Sequence, residues 1–122
     1  MPSATTMKAI VQERFGPPDV LQLVDTDPPE AGADDVLVRV HAAALNPVDW
    51  KILGGQLKMV ARAKLPRGSG ADFAGRVVGV GAAVRSFKAG DAVLGCLNPF
   101  KSRQGSLAES LCARDDEIVP LP

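Results

Sequence analysis

The sequence has no tyrosine, one tryptophan and four phenylalanines among its 122 residues. Stacking platforms for nucleobases are therefore scarce. It also has no excess charge of either sign, since 14 Lys and Arg balance 14 Asp and Glu. Neutrality argues against a nucleic-acid backbone or an anionic membrane surface as partner. No apolar run approaches the length of a membrane span. Met1–Thr6 is short and polar, without the apolar stretch of a secretory signal, and reads as a flexible N-terminal tail. A cytoplasmic chain is expected. Cys96 and Cys112 form no C-x-x-C motif, so without a secretory context free buried thiols are expected. The single histidine, His41, lies on the Leu37–Arg39 face of an alternating run and reads as a surface or cleft-edge residue, not a metal ligand.

What the chain does have is a 46% apolar composition with 12 glycines and 10 prolines, enough for one domain with a real core. Short alternating runs separated by Gly/Pro turns predict a mainly β fold, an all-β barrel or sandwich with little helix. Met7–Gln12 and Val20–Val24 read as a hairpin across the Phe15-Gly16-Pro17-Pro18-Asp19 turn, and Asp25–Asp34 as loop. Asp35–Leu45 is the longest strand, with Val36, Val38 and Val40 sharing one face. Gln56–Lys64 allows one or two helical turns through Leu57, Val60 and Ala63, and Leu65–Gly70 is loop. Asp72–Gly81 is a strand with internal glycines, which mark bulges or close backbone approach. Ala92–Leu97, Ser106–Ala113 and Ile118-Val119 complete the strands.

The most informative stretch is Asn46-Pro47-Val48-Asp49-Trp50-Lys51. Asn46 suits an N-cap, Pro47 a first helical position and Gly54 a stop, so Pro47–Leu53 is a short helix entered from a strand. Such a corner presents an amide, a carboxylate and an ammonium together. A well-capped turn with Asp49 and Lys51 in solvent satisfies the same residues.

Four segments stand in order: the Asn46–Lys51 corner; Gly70-Ala71-Asp72-Phe73-Ala74-Gly75 followed by Val78-Gly79-Val80-Gly81; Phe87-Lys88-Ala89-Gly90-Asp91-Ala92-Val93; and Gly105-Ser106-Leu107-Ala108-Glu109. Together they resemble the N-terminal GroES-like domain of the medium-chain dehydrogenase/reductase superfamily, in its zinc-independent quinone oxidoreductase branch. The resemblance covers residues 7–122 and implies a GroES-like, partly open β-barrel with a few short helices. It also implies an NADPH-dependent enzyme that reduces quinones or α,β-unsaturated carbonyls by hydride transfer. NADPH would be held mainly by a nucleotide-binding domain absent from this chain, so the 122 residues alone are expected to be inactive; a homo-oligomer is possible.

By the same resemblance Asn46 and Lys51 are the catalytic candidates, and Asn46, Asp49 and Asp72 lie on the cofactor side. Asp72 could equally pair with Lys51 or Arg76, and Asp49 could simply be a charge favoured at a helix N-terminus. No metal is expected, because the zinc-dependent branch has Cys where Asn46 stands and a His-Glu pair at Ala71-Asp72. Leu45, Trp50 and Phe73 are candidates for an apolar surface facing the second domain. The alternative is a non-enzymatic GroES-like binding or assembly module.

Overall fold

The computed structural model describes residues 6–57, 64–99 and 101–122. Eight strands and one α-helix are found among them. The strands are β1 (Met7–Gln12), β2 (Gln22–Thr26), β3 (Asp35–Ala44), β4 (Arg67–Gly68), β5 (Asp72–Val80), β6 (Ala92–Cys96), β7 (Ser110–Arg114) and β8 (Ile118–Pro120), and the helix is α1 (Pro47–Leu53). They form two antiparallel sheets, of order β2-β1-β4 and β7-β3-β5-β6-β8. Neither sheet closes on itself. Together they make the expected mainly β, partly open barrel. The helical spacing of Val60 and Ala63 falls in residues 58–63, outside the described residues.

β-Branched alternation builds the larger sheet. Val36 and Val38 are fully buried, and Val40 packs against the same cluster. Phe73, Val77, Val93, Leu97, Leu111 and Ile118 complete its bulk. Burying each such side chain contributes about 1.5–3 kcal/mol. Phe73 was expected on an open face, but it points inward with Val77 and is 4% exposed. Leu45 and Trp50 do lie open, at 57% and 55% exposure.

The expected loop over Leu65–Gly70 holds the short strand β4, drawn into pairing with Val11 and Gln12 of β1, and two strand bounds also differ from the sequence reading. Pro18–Val20 forms a 3-10 turn, so Val20 is buried ahead of β2 instead of opening it. The expected strand over Ser106–Ala113 begins only at Ser110. Before that, the chain is drawn off by other backbone: Ser106 N–H donates to the Gly70 carbonyl at 3.1 Å and Leu107 N–H to the Ser69 carbonyl at 3.0 Å.

The sheet edge at β7 is finished by side chains. Gln104 donates from Nε2 to the Cys112 carbonyl at 2.7 Å and accepts the Cys112 N–H at 2.8 Å. Glu117 accepts the Arg114 N–H at 2.8 Å through Oε1 and the Asn98 N–H at 2.7 Å through Oε2.

Candidate active site

β3 delivers the chain to the corner. Asn46 is extended (φ −131°, ψ 165°), Pro47 opens α1, and Gly54 ends it. The Asp49 carboxylate accepts the Asn46 backbone N–H at 2.7 Å, while Asp49 N–H donates to the Asn46 carbonyl at 2.8 Å. The Asn46 side chain makes no cap hydrogen bond; its Nδ2 donates to Oδ2 of Asp72, the first residue of β5. Asn46 is thus pinned from two sides, by Asp49 through its backbone and by Asp72 through its amide. The C-terminal end of α1 is fixed by Gln12, a buried β1 residue that donates from Nε2 to the Leu53 carbonyl at 3.2 Å.

This arrangement brings together three of the four expected site residues. Asn46 and Asp72 are half-buried and Asp49 is buried. Lys51 is not drawn in: it is exposed, and among the described residues its side chain forms no ion pair. The alternative pairing of Asp72 with Lys51 or Arg76 is also absent among the described residues. Asp72 takes the Asn46 amide, and Arg76 donates to the Gly90 carbonyl at 2.7 Å. Asp49, open to reading as a solvent-facing helix charge, is instead only 8% exposed.

Burial pushes the Asp49 carboxyl above its ordinary range; the Asn46 N–H opposes this and the neighbouring Asp72 charge adds to it. A carboxyl whose folded pKa exceeds its unfolded value favours the native state most at low pH. That contribution is lost as pH rises through the folded value. Asp49→Asn keeps an oxygen to accept the Asn46 N–H and removes the buried charge. The expected result is a melting temperature a few degrees higher at pH 7, with the advantage vanishing near pH 3. Thermal unfolding of both chains at the two pH values checks it.

Cys96 stands directly opposite Asp72 in the β5–β6 register. Partial burial first, and the Asp72 carboxylate second, push its thiol up to about 11. The thiol is therefore protonated and weakly nucleophilic at neutral pH. Both cysteines are free as expected, but Cys96 is exposed and Cys112 half-buried instead of buried. His41 is exposed, as its face of β3 requires.

Sequence reading missed Arg67. This first residue of β4 is 5% exposed and donates from Nη2 to the carbonyls of Pro99 (3.0 Å) and Ser102 (3.4 Å), while its Nε has no partner among the described residues. Burial lowers its pKa. It anchors the segment that leaves β6 beside Asp72. Nothing in local pattern marks such a residue, because its acceptors are carbonyls more than thirty positions away.

A separate cleft of about 360 Å³ includes Asn98, Gln104, Cys112 and Glu117 in its lining, but not Asn46 or Asp72. Gln104 and Glu117 are already committed to backbone there.

The chain is similar to known proteins over most of its length. Residues 32–122 match the family described as Alcohol dehydrogenase GroES-like domain. The chain is 38% identical over 121 residues to a chloroplastic quinone-oxidoreductase homolog of Spinacia oleracea, covering 98% of this chain and 36% of the relative. It is 39% identical over 117 residues to a quinone oxidoreductase of Mus musculus, covering 95% and 34%. Among solved structures, the quinone oxidoreductase from Coxiella burnetii aligns with a TM-score of 0.85 at 41% identity, over 95% of this chain and 37% of that one. The Escherichia coli quinone oxidoreductase complexed with NADPH aligns with a TM-score of 0.78 at 29% identity, over 94% and 33%. The chain spans about a third of the length of these relatives.

Proposed function

The chain belongs to the alcohol dehydrogenase GroES-like domain family, in the quinone oxidoreductase branch of the medium-chain dehydrogenases/reductases, and from that membership we propose that it is the substrate-side domain of an NADPH-dependent, zinc-independent reductase of quinones or α,β-unsaturated carbonyls. One observation carries the reading: Asn46 is half-buried, its backbone N–H held by the Asp49 carboxylate and its side-chain amide by Asp72, at a corner whose neighbouring residues Leu45 and Trp50 are exposed. An exposed corner that offers apolar side chains and one placed polar group suits a flat, conjugated carbonyl compound. Reduction of such a compound moves an electron pair onto its oxygen, and the Asn46 N–H is the donor we assign to that oxygen.

Zinc does not fit the corner. A methyl group at Ala71 and an amide at Asn46 supply neither thiolate nor imidazole. Among the described residues, no group of three or more His, Cys, Asp or Glu side chains could hold a metal ion. The described residues do not fit the NADPH pyrophosphate either, which takes a glycine-rich turn opening a helix, whereas Asn46-Pro47 opens α1. Gly81 ends the Gly79-Val80-Gly81 run with backbone packed against it, since a Cβ there would lie 2.0 Å from the Gly32 carbonyl oxygen. We therefore assign NADPH binding to a second domain of a longer chain, and Lys51 and Asp49 keep no more than a peripheral place in the proposal.

The test is NADPH oxidation by the full-length protein with a quinone and with an enone, before and after chelation. Turnover is expected to survive chelation unchanged. The 122-residue chain titrated with NADPH is expected to show no saturable binding and no turnover. Chelation-sensitive activity restored by zinc would overturn the first expectation, and turnover by the 122-residue chain the second.

A further inference from the structure

We propose that Asp72 is a positioning residue that fixes which edge of the Asn46 amide meets the substrate oxygen. The inference rests on the reading of Asn46 as the oxygen's donor. A primary amide carries an oxygen and an NH₂ of nearly equal shape. Left unrestrained, it turns about χ2 and shows an acceptor as readily as a donor. An acceptor facing a developing oxyanion repels it.

Asp72 removes the ambiguity. An ionised carboxylate only accepts, so the edge of Asn46 that faces it must be Nδ2, as observed. One Nδ2 hydrogen goes to Asp72, and among the described residues the second meets no acceptor, which is the hydrogen we assign to a ligand. The acceptor is itself held on a rigid element. Asp72 pairs with Ala44 of β3 on one side and Cys96 of β6 on the other, in the interior of the five-stranded sheet. Because β3 ends at Ala44 and only Leu45 separates it from Asn46, acceptor and donor share one frame. Asp49 fixes the Asn46 backbone from the other direction. Placement of this kind, with a support locked by backbone pairing, is what an oriented donor needs.

Charge and orientation act in opposite directions here, which makes the role testable. A carboxylate near an oxygen that is gaining negative charge opposes the reaction. If Asp72 acted through charge alone, removing it would speed turnover. As an orienter, its loss must slow turnover.

Two variants separate these effects. Asp72→Ala removes the acceptor. Asp72→Asn is neutral yet keeps an oxygen that can accept from Asn46. In the full-length protein Asp72→Ala is expected to lower kcat about 10-fold with little change in KM, and Asp72→Asn, whose amide can accept from Asn46 or donate to it, to restore only part of the loss. In NMR spectra of the 122-residue chain, one Asn46 Nδ2 proton should be shifted downfield and protected from exchange. Asp72→Asn should keep that signature at reduced strength and Asp72→Ala should lose it. The proposal is overturned if Asp72→Ala keeps wild-type kcat or exceeds it, if both variants fall equally, or if the Nδ2 signature survives in Asp72→Ala. If Asn46→Ala leaves turnover unchanged, the donor reading of Asn46 fails and the catalytic role of Asp72 falls with it. The Nδ2 signature would then still decide whether Asp72 holds the amide.

Discussion

Asn46→Ala should lower turnover of the full-length reductase by roughly 10- to 1000-fold, the scale of losing one oxyanion donor. The domain should stay folded. An N-cap residue replaced by alanine costs about 1 kcal/mol on average when its side chain caps the helix. The Asn46 side chain makes no such bond, and Asp49 still takes the residue-46 backbone N–H. The loss therefore falls on chemistry more than on stability. Asn46→Asp gives a sharper contrast. It matches the amide in shape but offers no donor, and it sets a third carboxylate beside Asp49 and Asp72. Its turnover should fall at least as far as that of Asn46→Ala, with the steeper loss at higher pH. Steady-state kinetics with a quinone, alongside circular dichroism of each variant, checks both. Unchanged kinetics in Asn46→Ala would reduce Asn46 to a structural corner.

Gly75→Ala should destabilise the domain by about 3 kcal/mol, the upper range for forcing extra volume into a packed site. Gly75 is buried in β5, opposite Val40 of β3 and Val93 of β6. A Cβ there would stand 2.2 Å from the Arg39 carbonyl oxygen and 2.9 Å from Val38 Cγ1. Backbone cannot swing aside as a side-chain tip can, so β3 itself must move. This is also where β3 is irregular, its register with β5 shifting between Val40 and Ala42. Gly79 is the control on the same strand, because a Cβ there meets nothing within 4 Å. Gly79→Ala should leave stability unchanged or slightly raised. Denaturant midpoints for the two variants test the pair, and equal midpoints would contradict the close-approach argument. A loss of about 3 kcal/mol is a large part of the 5–15 kcal/mol that holds a typical domain together.

The residues legible in sequence were those governed by neighbours along the chain. The alternation of Val36, Val38 and Val40 set the buried face of β3, and Asn46-Pro47 with Gly54 bounded α1 within a residue. Phe73 was not legible, because Phe73-Ala74 and Val77-Val78 put apolar residues on both faces of a strand already interrupted by glycines. Ser106–Glu109 looked like strand by composition, yet its backbone partners are scattered over positions 8, 10, 40, 69 and 70. The site divided in the same way. Asn46, Asp49 and Asp72 were marked by family resemblance, but the amide-to-carboxylate contact joins positions 26 apart and only the folded sheet sets it. Buried Arg67 was beyond sequence reading for that reason too. Lys51 shows the reverse, since proximity in sequence placed it near Asn46 while the turn of α1 left it in solvent.

The side-chain finish on β7 bears on a hazard common to sheet proteins. An edge strand with free amides recruits strands from other molecules, which starts domain swapping and fibril growth. At Cys112 both hydrogen-bonding positions are filled by the Gln104 amide, and at Arg114 the N–H is taken by Glu117. An incoming chain finds no open donor at either residue. Gln104 thus acts as a one-residue strand, bringing neither chain length nor register that a further copy could extend.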